Sequence, residues 1–266
     1  MSSMRLFRGL LRLVGGYKIY EKVLEREIKE GTIPNHVAFI LDGNRRWARL
    51  QGMPSWAGYK EGARKVDEVL SWCLDLNVKT VTLFVLSTEN ITRRPRDELK
   101  KLYEVMEENL KEKIGDERIH ENRVRVKAIG NVDLLPENIK QLLRKLEYAT
   151  KEYGDHYLNI AIAYGGRHEI VEAAKRLARD ALEGKITLEN VDEELFKGYL
   201  YTSHLPNPYP DLIIRTSGEF RISNFLLWQS AYSEVVVIDV YWPEFRKIDL
   251  LRAIRTYQRR NRRFGG

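Results

Sequence analysis

One carboxylate and a series of arginines follow apolar segments at several points in the chain. In HVAFILDGNRRWARLQG (36–52), an apolar run ends at Asp42 and two arginines follow almost at once. The arginines that follow such runs are Arg45 and Arg46, Arg93 and Arg94, and Arg215 and Arg221. Because a guanidinium group binds phosphate oxygens through two parallel hydrogen bonds, several that converge would suit a polyanion such as a diphosphate. A single arginine is more often a solvated surface residue, so the inference depends on their recurrence.

An acidic residue among such arginines would suit Mg²⁺. Magnesium is commonly held by one or two protein carboxylates, while substrate phosphates and water complete its octahedral shell. The candidate ligands are Asp42 and Glu234. For Asp42 the alternative is a turn or helix cap after a strand, which is the commonest role of an Asp-Gly pair.

The sequence lacks the short motifs of several other enzyme classes. Neither GxxxxGK[ST] nor GxGxxG occurs, which argues against P-loop nucleotide hydrolysis and dinucleotide binding. The five histidines are scattered and Cys73 is the single cysteine, so no zinc-ligand spacing is present. The GxSxG elbow of a serine hydrolase is also absent.

Apolar segments with the length of buried strands alternate with segments of helical periodicity. The predicted strands are 36–42, 78–87, 123–131, 156–166, 211–218 and 235–240. The main predicted helices are 17–31, 60–76, 96–114, 136–153, 167–183 and 247–262. This alternation is typical of an α/β domain with a mainly parallel central sheet of about six strands, flanked by helices on both faces. Ligands bind outside the carboxyl ends of such strands, where Asp42, Ser87 and Arg215 fall.

We expect one main domain over 35–266 and an N-terminal helical extension over 1–34. Residues 1–14 interleave arginines with apolar residues and contain no acid. This segment either lies on an anionic membrane surface or forms a helix that caps its own domain. No apolar stretch approaches the roughly 20 residues of a membrane span, and no signal peptide is evident, so the sequence predicts a soluble protein.

Composition sets broader limits on partners and compartment. The 266 residues carry a formal net charge of +7, which implies an anionic partner: nucleic acid, a phosphorylated metabolite or a membrane surface. Cys73 lies in a helical pattern beside Val66, Val69 and Leu70, which predicts a small core residue rather than a reactive thiol. One cysteine excludes a disulfide within the chain and fits a reducing cytoplasm.

Several long motifs, in order along the chain, resemble those of the cis-prenyltransferases, a family that includes undecaprenyl and dehydrodolichyl diphosphate synthases. The motifs are HVAFILDGNRRWA, STEN (87–90), NIAIAYGGRHEI (159–170), DLIIRTSGEFRISNFLLWQSAYSE (211–234) and the terminal RRFGG. The resemblance spans nearly all of 36–266. It implies the cis-prenyltransferase fold with a hydrophobic product tunnel. It also implies extension of farnesyl or geranylgeranyl diphosphate with isopentenyl units, to give a long-chain cis-polyprenyl diphosphate that is the precursor of a glycosyl carrier lipid.

The resemblance assigns roles around the allylic diphosphate. Asp42 would bind Mg²⁺ and assist departure of the diphosphate. The residues expected around this diphosphate are Gly43, Asn44, Arg45 and Arg46, with Trp47 adjoining. Those expected at the junction of the two substrates are Ser87, Thr88 and Glu89. Asn90 would take part in proton removal, by positioning the proton or relaying it to diphosphate, and Arg93 matches the family's arginine three places later.

The resemblance also assigns the isopentenyl diphosphate site. Its expected residues are Arg215, Arg221, Ile222 and Ser223. Glu234 would be the second magnesium ligand, and Arg263 and Gly265 match a C-terminal Arg-x-Gly that reaches the active site of a dimer partner. A homodimer is therefore implied. The helix after STEN would line the product tunnel with an apolar stripe, although a stripe that packs into the core has the same period. The residues of this stripe are Leu99, Leu102, Tyr103, Met106 and Leu110.

Four positions around the allylic site depart from the bacterial pattern. Arg45 stands where bacterial members usually have glycine, as in archaeal and eukaryotic relatives. Ser55 replaces a frequent arginine, Tyr59 a frequent histidine, and Ile91 an aromatic residue. These departures leave the primer and the product length open.

Other functions remain open at this stage. A non-catalytic partner subunit is disfavoured because Asp42, Asn90 and Glu234 are all present. Short-chain synthesis or prenyl transfer to another acceptor is compatible with the departures. A nucleic-acid-binding domain has its best support in RAIRTYQRRNRR, a run that also suits the solvated face of a helix, and we do not expect nucleic acid as a partner. A trans-prenyltransferase would need DDxxD, and the chain has no Asp-Asp pair.

Overall fold

Six parallel strands form one sheet at the centre of the protein. The structure is a computed structural model, and it describes residues 16–261. The strands are β1 (His36–Ile40), β2 (Thr80–Ser87), β3 (Val124–Ile129), β4 (His156–Tyr164), β5 (Leu212–Thr216) and β6 (Glu234–Ile238). Their order across the sheet is β3-β4-β2-β1-β5-β6, and every neighbouring pair is parallel. The predicted α/β architecture and all six predicted strands are confirmed.

Helices connect the strands and cover both faces of the sheet. The helices of the first half are α1 (Gly16–Lys29), α2 (Asn44–Leu50), α3 (Ser55–Asp75), α4 (Thr88–Arg93), α5 (Arg96–Ile114) and α6 (Glu117–Glu121). Those of the second half are α7 (Glu137–Thr150), α8 (Gly166–Leu182), α9 (Glu193–Lys197) and α10 (Lys247–Asn261). No helix within residues 16–261 is long and apolar enough to cross a membrane.

The long helices agree with the predictions, whereas two short helices at the site were not predicted. The segment predicted as 60–76 begins earlier, at Ser55, directly after Pro54. Proline has no backbone N–H to donate, so it is tolerated at a helix start, where the first N–H groups have no partner within the helix. The helices α2 and α4 begin within a few residues of the ends of β1 and β2. Six or seven residues show too little periodicity to be recognised in the sequence. Their N-termini nevertheless lie at the carboxyl edge of the sheet.

The α1 helix packs against the C-terminal helix α10. Leu24 and Ile28 are completely buried, and Gln258 Nε2 donates to the carbonyl oxygen of Ile28 at 2.9 Å. Lys247 also forms an ion pair with Glu25 at 2.9 Å. The part of the predicted extension that the structure describes therefore contributes to the packing of the main domain. The basic segment 1–14 lies outside the described residues.

Cys73 and the basic run of α10 have structural roles. Cys73 is buried, and burial raises the pKa of its thiol to about 12, which agrees with the predicted core residue. In α10, Ala253, Ile254 and Tyr257 are buried while Arg252 is exposed. The part of the basic run that the structure describes is therefore one face of an amphipathic helix whose other face belongs to the core.

Candidate active site

Asp42 is held rigidly just beyond the carboxyl end of β1. Its carbonyl oxygen accepts hydrogen bonds from Thr216 Oγ1 at 2.7 Å and from the Trp242 N–H at 3.1 Å. Gly43 follows with φ of +107°, and a Cβ there would come within 2.6 Å of the Tyr241 ring. Glycine is required here by both the backbone conformation and the close approach. The chain can therefore turn from β1 into α2 directly after the carboxylate.

The Asp42 carboxylate lies between two guanidinium groups. Arg215 Nη2 donates to Oδ2 at 2.8 Å, and Arg46 Nη2 donates to Oδ1 at 3.1 Å. Burial opposes ionisation of Asp42, but the hydrogen bond and charge of Arg215, with those of Arg46, outweigh it and lower the pKa of the carboxyl. Asp42 is thus a stable anion at neutral pH. The turn-cap alternative does not describe it, because its side chain binds arginines rather than the start of α2.

Glu219 is an acidic residue that the sequence analysis did not single out. Its Oε1 accepts from Arg46 Nη1 at 3.0 Å, and its Oε2 accepts from Arg221 Nη1 at 2.6 Å. It therefore joins an arginine predicted for one diphosphate to an arginine predicted for the other. Arg46 is also bound to Ser217 Oγ at 2.6 Å. The position of Glu219 between two predicted ligands in RTSGEFR was a signal that could have identified it.

Arg215 is almost completely buried and organises the loop that follows β5. Its Nη1 donates to Ser223 Oγ at 2.7 Å and to the carbonyl oxygen of Arg221. Its Nε is buried with no hydrogen-bond acceptor among the residues that the structure describes. Such a donor is costly unless a ligand pairs with it. A phosphate oxygen at this position would provide the acceptor.

The STEN motif forms the end of β2 and the start of α4. Ser87 Oγ accepts a hydrogen bond from the Asn90 N–H at 3.1 Å and so caps the helix. Glu89 accepts hydrogen bonds from Asn224 Nδ2 at 2.8 Å and from Thr88 Oγ1 at 3.2 Å. The Asn90 side chain makes no hydrogen bond within residues 16–261, and it faces the cavity described below. Its carboxamide is therefore available to a substrate.

Arg94, rather than Arg93, is the buried arginine after STEN. The Arg94 side chain is 13% exposed, and its Nη1 donates to Tyr59 Oη at 3.0 Å. Tyr59 in turn donates to Glu98, which lies 3.6 Å from Arg45 Nη1. Arg93 also reaches the cavity but is largely exposed. The tyrosine that departs from the family pattern is thus part of a buried arginine–tyrosine–glutamate cluster.

One large cavity, of about 1000 Å³, connects these groups. The predicted site residues that line it are Asp42, Gly43, Asn44, Arg45, Arg46, Ser87, Glu89, Asn90, Arg93, Arg215, Arg221 and Ser223. The further polar residues that line it are Arg49, Tyr59, Asp67, Arg94, Asn109, Lys113, Arg167, Glu219 and Asn224. The predicted residues that do not line it are Trp47, Thr88, Ile222 and Glu234. Arg263 and Gly265 lie outside the described residues.

The cavity continues from this polar edge between the sheet and helices α3, α5 and α7. Its apolar lining includes Leu70, Leu83, Leu102, Val105, Met106, Leu110, Leu143, Leu158 and Ile160. Of the predicted stripe, Leu102, Met106 and Leu110 line the cavity, whereas Leu99 and Tyr103 do not. The stretch of α5 that lines the cavity, from Leu102 to Lys113, is about 16 Å long at 1.5 Å per residue. A polar mouth is therefore joined to a long apolar interior.

Glu234 is not near Asp42 in the same chain. It is the first residue of β6 and is in register with Leu212, which is in turn in register with Val37. Asp42 lies five residues beyond Val37, or about 16 Å along the strand direction. Glu234 instead forms an ion pair with Arg260 at 2.7 Å. The structure therefore does not bring the two predicted magnesium ligands together within one chain, because Glu234 lies at the amino end of its strand.

The residues at Asp42 fit a magnesium ion that shares its shell with substrate. Each carboxylate oxygen accepts one guanidinium hydrogen bond, which leaves lone pairs for a metal. Among residues 16–261 no group of three or more histidine, cysteine or acidic side chains could hold an ion. Mg²⁺ bound here would therefore take most of its ligands from phosphate and water, which is its usual preference.

The fold and the site define an α/β protein in which an arginine-rich polar mouth opens into a largely apolar cavity. The family model described as "Putative undecaprenyl diphosphate synthase" matches residues 40–265. The tritrans,polycis-undecaprenyl-diphosphate synthase (geranylgeranyl-diphosphate specific) of Methanopyrus kandleri is 53% identical over 267 residues, which cover 100% of this chain and 97% of the relative. The enzyme of the same name from Methanocaldococcus jannaschii is 53% identical over 94% of this chain and 89% of its own.

A solved structure of another diphosphate synthase is also similar to this chain. The lavandulyl diphosphate synthase of Lavandula x intermedia, in complex with dimethylallyl diphosphate, superimposes with a TM-score of 0.79 and 33% identity. The match covers 85% of this chain and 95% of that one. The chain belongs to the undecaprenyl diphosphate synthase family, the cis-prenyltransferases, and is an enzyme of the prenyltransferase class.

Proposed function

We propose that the enzyme condenses isopentenyl diphosphate with geranylgeranyl diphosphate and repeats the reaction to give a cis-polyprenyl diphosphate of undecaprenyl length. The observation that carries this proposal is the position of Asp42, between Arg46 and Arg215 at the mouth of a cavity with an apolar interior. The names of the archaeal relatives support geranylgeranyl diphosphate over farnesyl diphosphate as the primer. The product would serve as precursor of a glycosyl carrier lipid.

The arginines stabilise charge that develops when the allylic carbon–oxygen bond breaks. This step leaves positive charge on the allyl group and concentrates negative charge on the departing diphosphate. Arg45, Arg46 and Arg94 would bind these oxygens, and their effect would increase in a cavity from which the hydrocarbon chain excludes water. Mg²⁺ held by Asp42 would add to this charge stabilisation.

The second substrate is bound by the loop after β5. Arg215, Arg221 and Ser223 would hold the isopentenyl diphosphate, with the buried Nε of Arg215 as a donor. The isopentenyl double bond supplies the electron pair for the new carbon–carbon bond, and loss of a proton from the neighbouring carbon restores a double bond. Asn90 is a weak base. We therefore assign it to orienting that proton, which passes to a diphosphate oxygen.

The growing chain would occupy the apolar part of the cavity. Each added isoprene unit buries methylene and methyl groups, and burial contributes about 0.8 kcal/mol per CH₂. Leu102, Met106 and Leu110 of α5 lie along this path. This lining supports a product tunnel, while the cluster of Tyr59, Arg94 and Glu98 at its mouth would contact the primer.

We further propose a homodimer that forms along the open edge of the sheet at β6. Beside this edge, Phe220 is 88% and Tyr232 is 93% exposed, and large exposed apolar side chains at an unpaired strand favour an interface. Glu234 belongs to the same edge. In this dimer Glu234 and the C-terminal Arg263 and Gly265 would complete the partner's site, which is the arrangement in which Glu234 can act as a metal ligand.

The test of the reaction is incubation of the protein with labelled isopentenyl diphosphate, Mg²⁺ and one primer at a time. The primers are dimethylallyl, farnesyl and geranylgeranyl diphosphate, and the extracted products are separated by chain length. We expect incorporation to be greatest with geranylgeranyl diphosphate. Absence of incorporation with every primer would refute the proposed function, and full turnover by Asp42→Ala would refute the role of that residue.

The test of the shared site is complementation between two inactive variants. Asp42→Ala and Glu234→Ala are purified, mixed and allowed to exchange subunits. A mixed dimer contains one site with both acidic residues intact, so activity should return on mixing. If the mixture stays as inactive as its components although exchange is demonstrated, Glu234 does not serve the partner's site.

A further inference from the structure

Within the loop after β5, the segment from Arg221 to Leu226 contains three non-glycine residues with left-handed backbone conformations. Ser223, Asn224 and Leu226 have φ values of +51°, +63° and +44°. Such conformations are unfavourable for residues with a Cβ and persist where surrounding contacts fix them, often at functional sites. The loop from Arg221 to Leu226 therefore has a fixed shape that depends on its contacts.

Contacts of Arg215 and of Phe225 hold the loop in place. Arg215 binds Ser223 Oγ and the carbonyl oxygen of Arg221. Phe225 is completely buried and stacks on Phe84, with ring centroids 4.6 Å apart. Asn224 lies between Ser223 and Phe225 in the sequence and lines the cavity.

Asn224 connects the loop to two other elements. Its Nδ2 donates to Glu89 Oε1 at 2.8 Å, and its Oδ1 accepts from the Arg167 N–H at 2.9 Å. Its carbonyl oxygen accepts from the Gly166 N–H at 2.7 Å. One residue thus joins the loop of Arg221 and Ser223 to α4, where Glu89 precedes Asn90, and to the first turn of α8.

We propose that Asn224 is a positioning residue that couples the isopentenyl diphosphate loop to the helix carrying Asn90. This inference rests on the proposed function. The α4 helix has six residues, and isolated helices of that length are unstable, so its orientation depends on such contacts. Through its hydrogen bond to Glu89, Asn224 fixes the position of α4 relative to the loop. This contact in turn fixes Asn90 relative to the bound substrate.

The Asn224–Glu89 hydrogen bond has a defined direction, which makes it testable. Burial opposes ionisation of Glu89, but hydrogen bonds from its own backbone and from Asn224 outweigh it and lower the pKa of the carboxyl. The amide of Asn224 must therefore donate to an anion. An aspartate at this position would lose the donor and place two carboxylates in contact.

The experiment compares Asn224→Asp, Glu89→Gln and the double variant N224D/E89Q. We expect Asn224→Asp to lower kcat by about 10- to 100-fold, the range for an unpaired or repelled charged hydrogen bond, and to change KM for the primer little. In the double variant the donor and acceptor are exchanged. The introduced glutamine amide at position 89 can donate to the introduced carboxylate at position 224, whose other oxygen still accepts from the Arg167 N–H. We expect kcat to recover to within about threefold of Glu89→Gln.

Thermal unfolding and a second double-mutant cycle serve as controls. If Asn224→Asp fails to fold, Asn224→Ala and Glu89→Ala with their double variant measure the same coupling. Additive losses in that cycle, or a kcat of N224D/E89Q no better than that of N224D, would overturn the inference. These outcomes require an active wild type, so they are distinct from failure of the proposed function, in which the wild type itself incorporates no isopentenyl units.

Discussion

Replacement of Arg215 by lysine is expected to impair the enzyme severely although the positive charge remains. The Arg215 side chain is 4% exposed and makes two hydrogen bonds in different directions. Its Nη2 donates to Asp42, and its Nη1 donates to Ser223. A lysine ammonium is a compact charge on a flexible stem and cannot reproduce this planar fork. It can keep the contact with Asp42 or the contact with the loop, but not both.

The magnitude follows from the contact that is lost. A hydrogen bond to a charged group contributes about 1.5–3 kcal/mol, so we expect kcat/KM for isopentenyl diphosphate to fall by about 10- to 100-fold. The free energy of unfolding should decrease by about 1–2 kcal/mol, because the loop loses one anchor.

The assay is steady-state kinetics with varied isopentenyl diphosphate, together with urea unfolding. Arg221→Lys is the matched control. Arg221 is 60% exposed and its described side-chain partner is Glu219, so the substitution should leave the free energy of unfolding within about 0.5 kcal/mol of wild type. Wild-type kcat/KM in Arg215→Lys, or equal destabilisation by both substitutions, would refute the argument that Arg215 organises the loop.

Three further predictions follow from the same site. The pKa of Asp42 is lower in the folded protein than in the unfolded chain. Ionisation of Asp42 therefore stabilises the fold above the unfolded pKa of about 3.9. This stabilisation is lost as the pH falls through the pKa of Asp42 in the folded protein. The stability of wild type relative to Asp42→Asn should accordingly shrink as the pH is lowered below about 4, measured by urea unfolding at each pH. Arg94→Ala should raise KM for the allylic primer by about tenfold. Arg96→Ala is the control that changes KM little, because Arg96 is exposed and does not line the cavity. Met106→Trp should shorten the products, seen by chain-length separation, because a larger side chain would block the apolar cavity; an unchanged distribution would show that the chain takes another path.

Long elements were predictable because their periodicity reflects burial on both faces of the sheet. The run from Val37 to Ile40 is apolar because β1 has neighbours on both sides and helices above and below. The grouping of Asp42, Ser87 and Arg215 was also predictable, since parallel strands bring their carboxyl ends to one edge.

The contacts within the site were less predictable because they depend on rotation and register. Arg93 and Arg94 are adjacent and identical in type, and the end of the short helix α4 determines which one is buried against Tyr59. The distance of Glu234 from Asp42 within one chain could not be read from the sequence. Its motif continues that of Arg215, whereas the chain returns to the amino edge of the sheet before β6 begins. Asn224 gave no signal in the sequence, since its role arises from a left-handed backbone conformation.

Within residues 16–261, β6 has no strand on its outer side, and this edge would affect how the protein behaves outside the proposed dimer. An unpaired strand presents backbone N–H and C=O groups that can pair with another polypeptide, and Val235, on this edge, is 37% exposed. A variant that loses its partner would therefore expose a surface that promotes aggregation. Attempts to prepare a monomer should combine interface substitutions with a charged residue on this strand, such as Val235→Lys, so that the edge stays soluble.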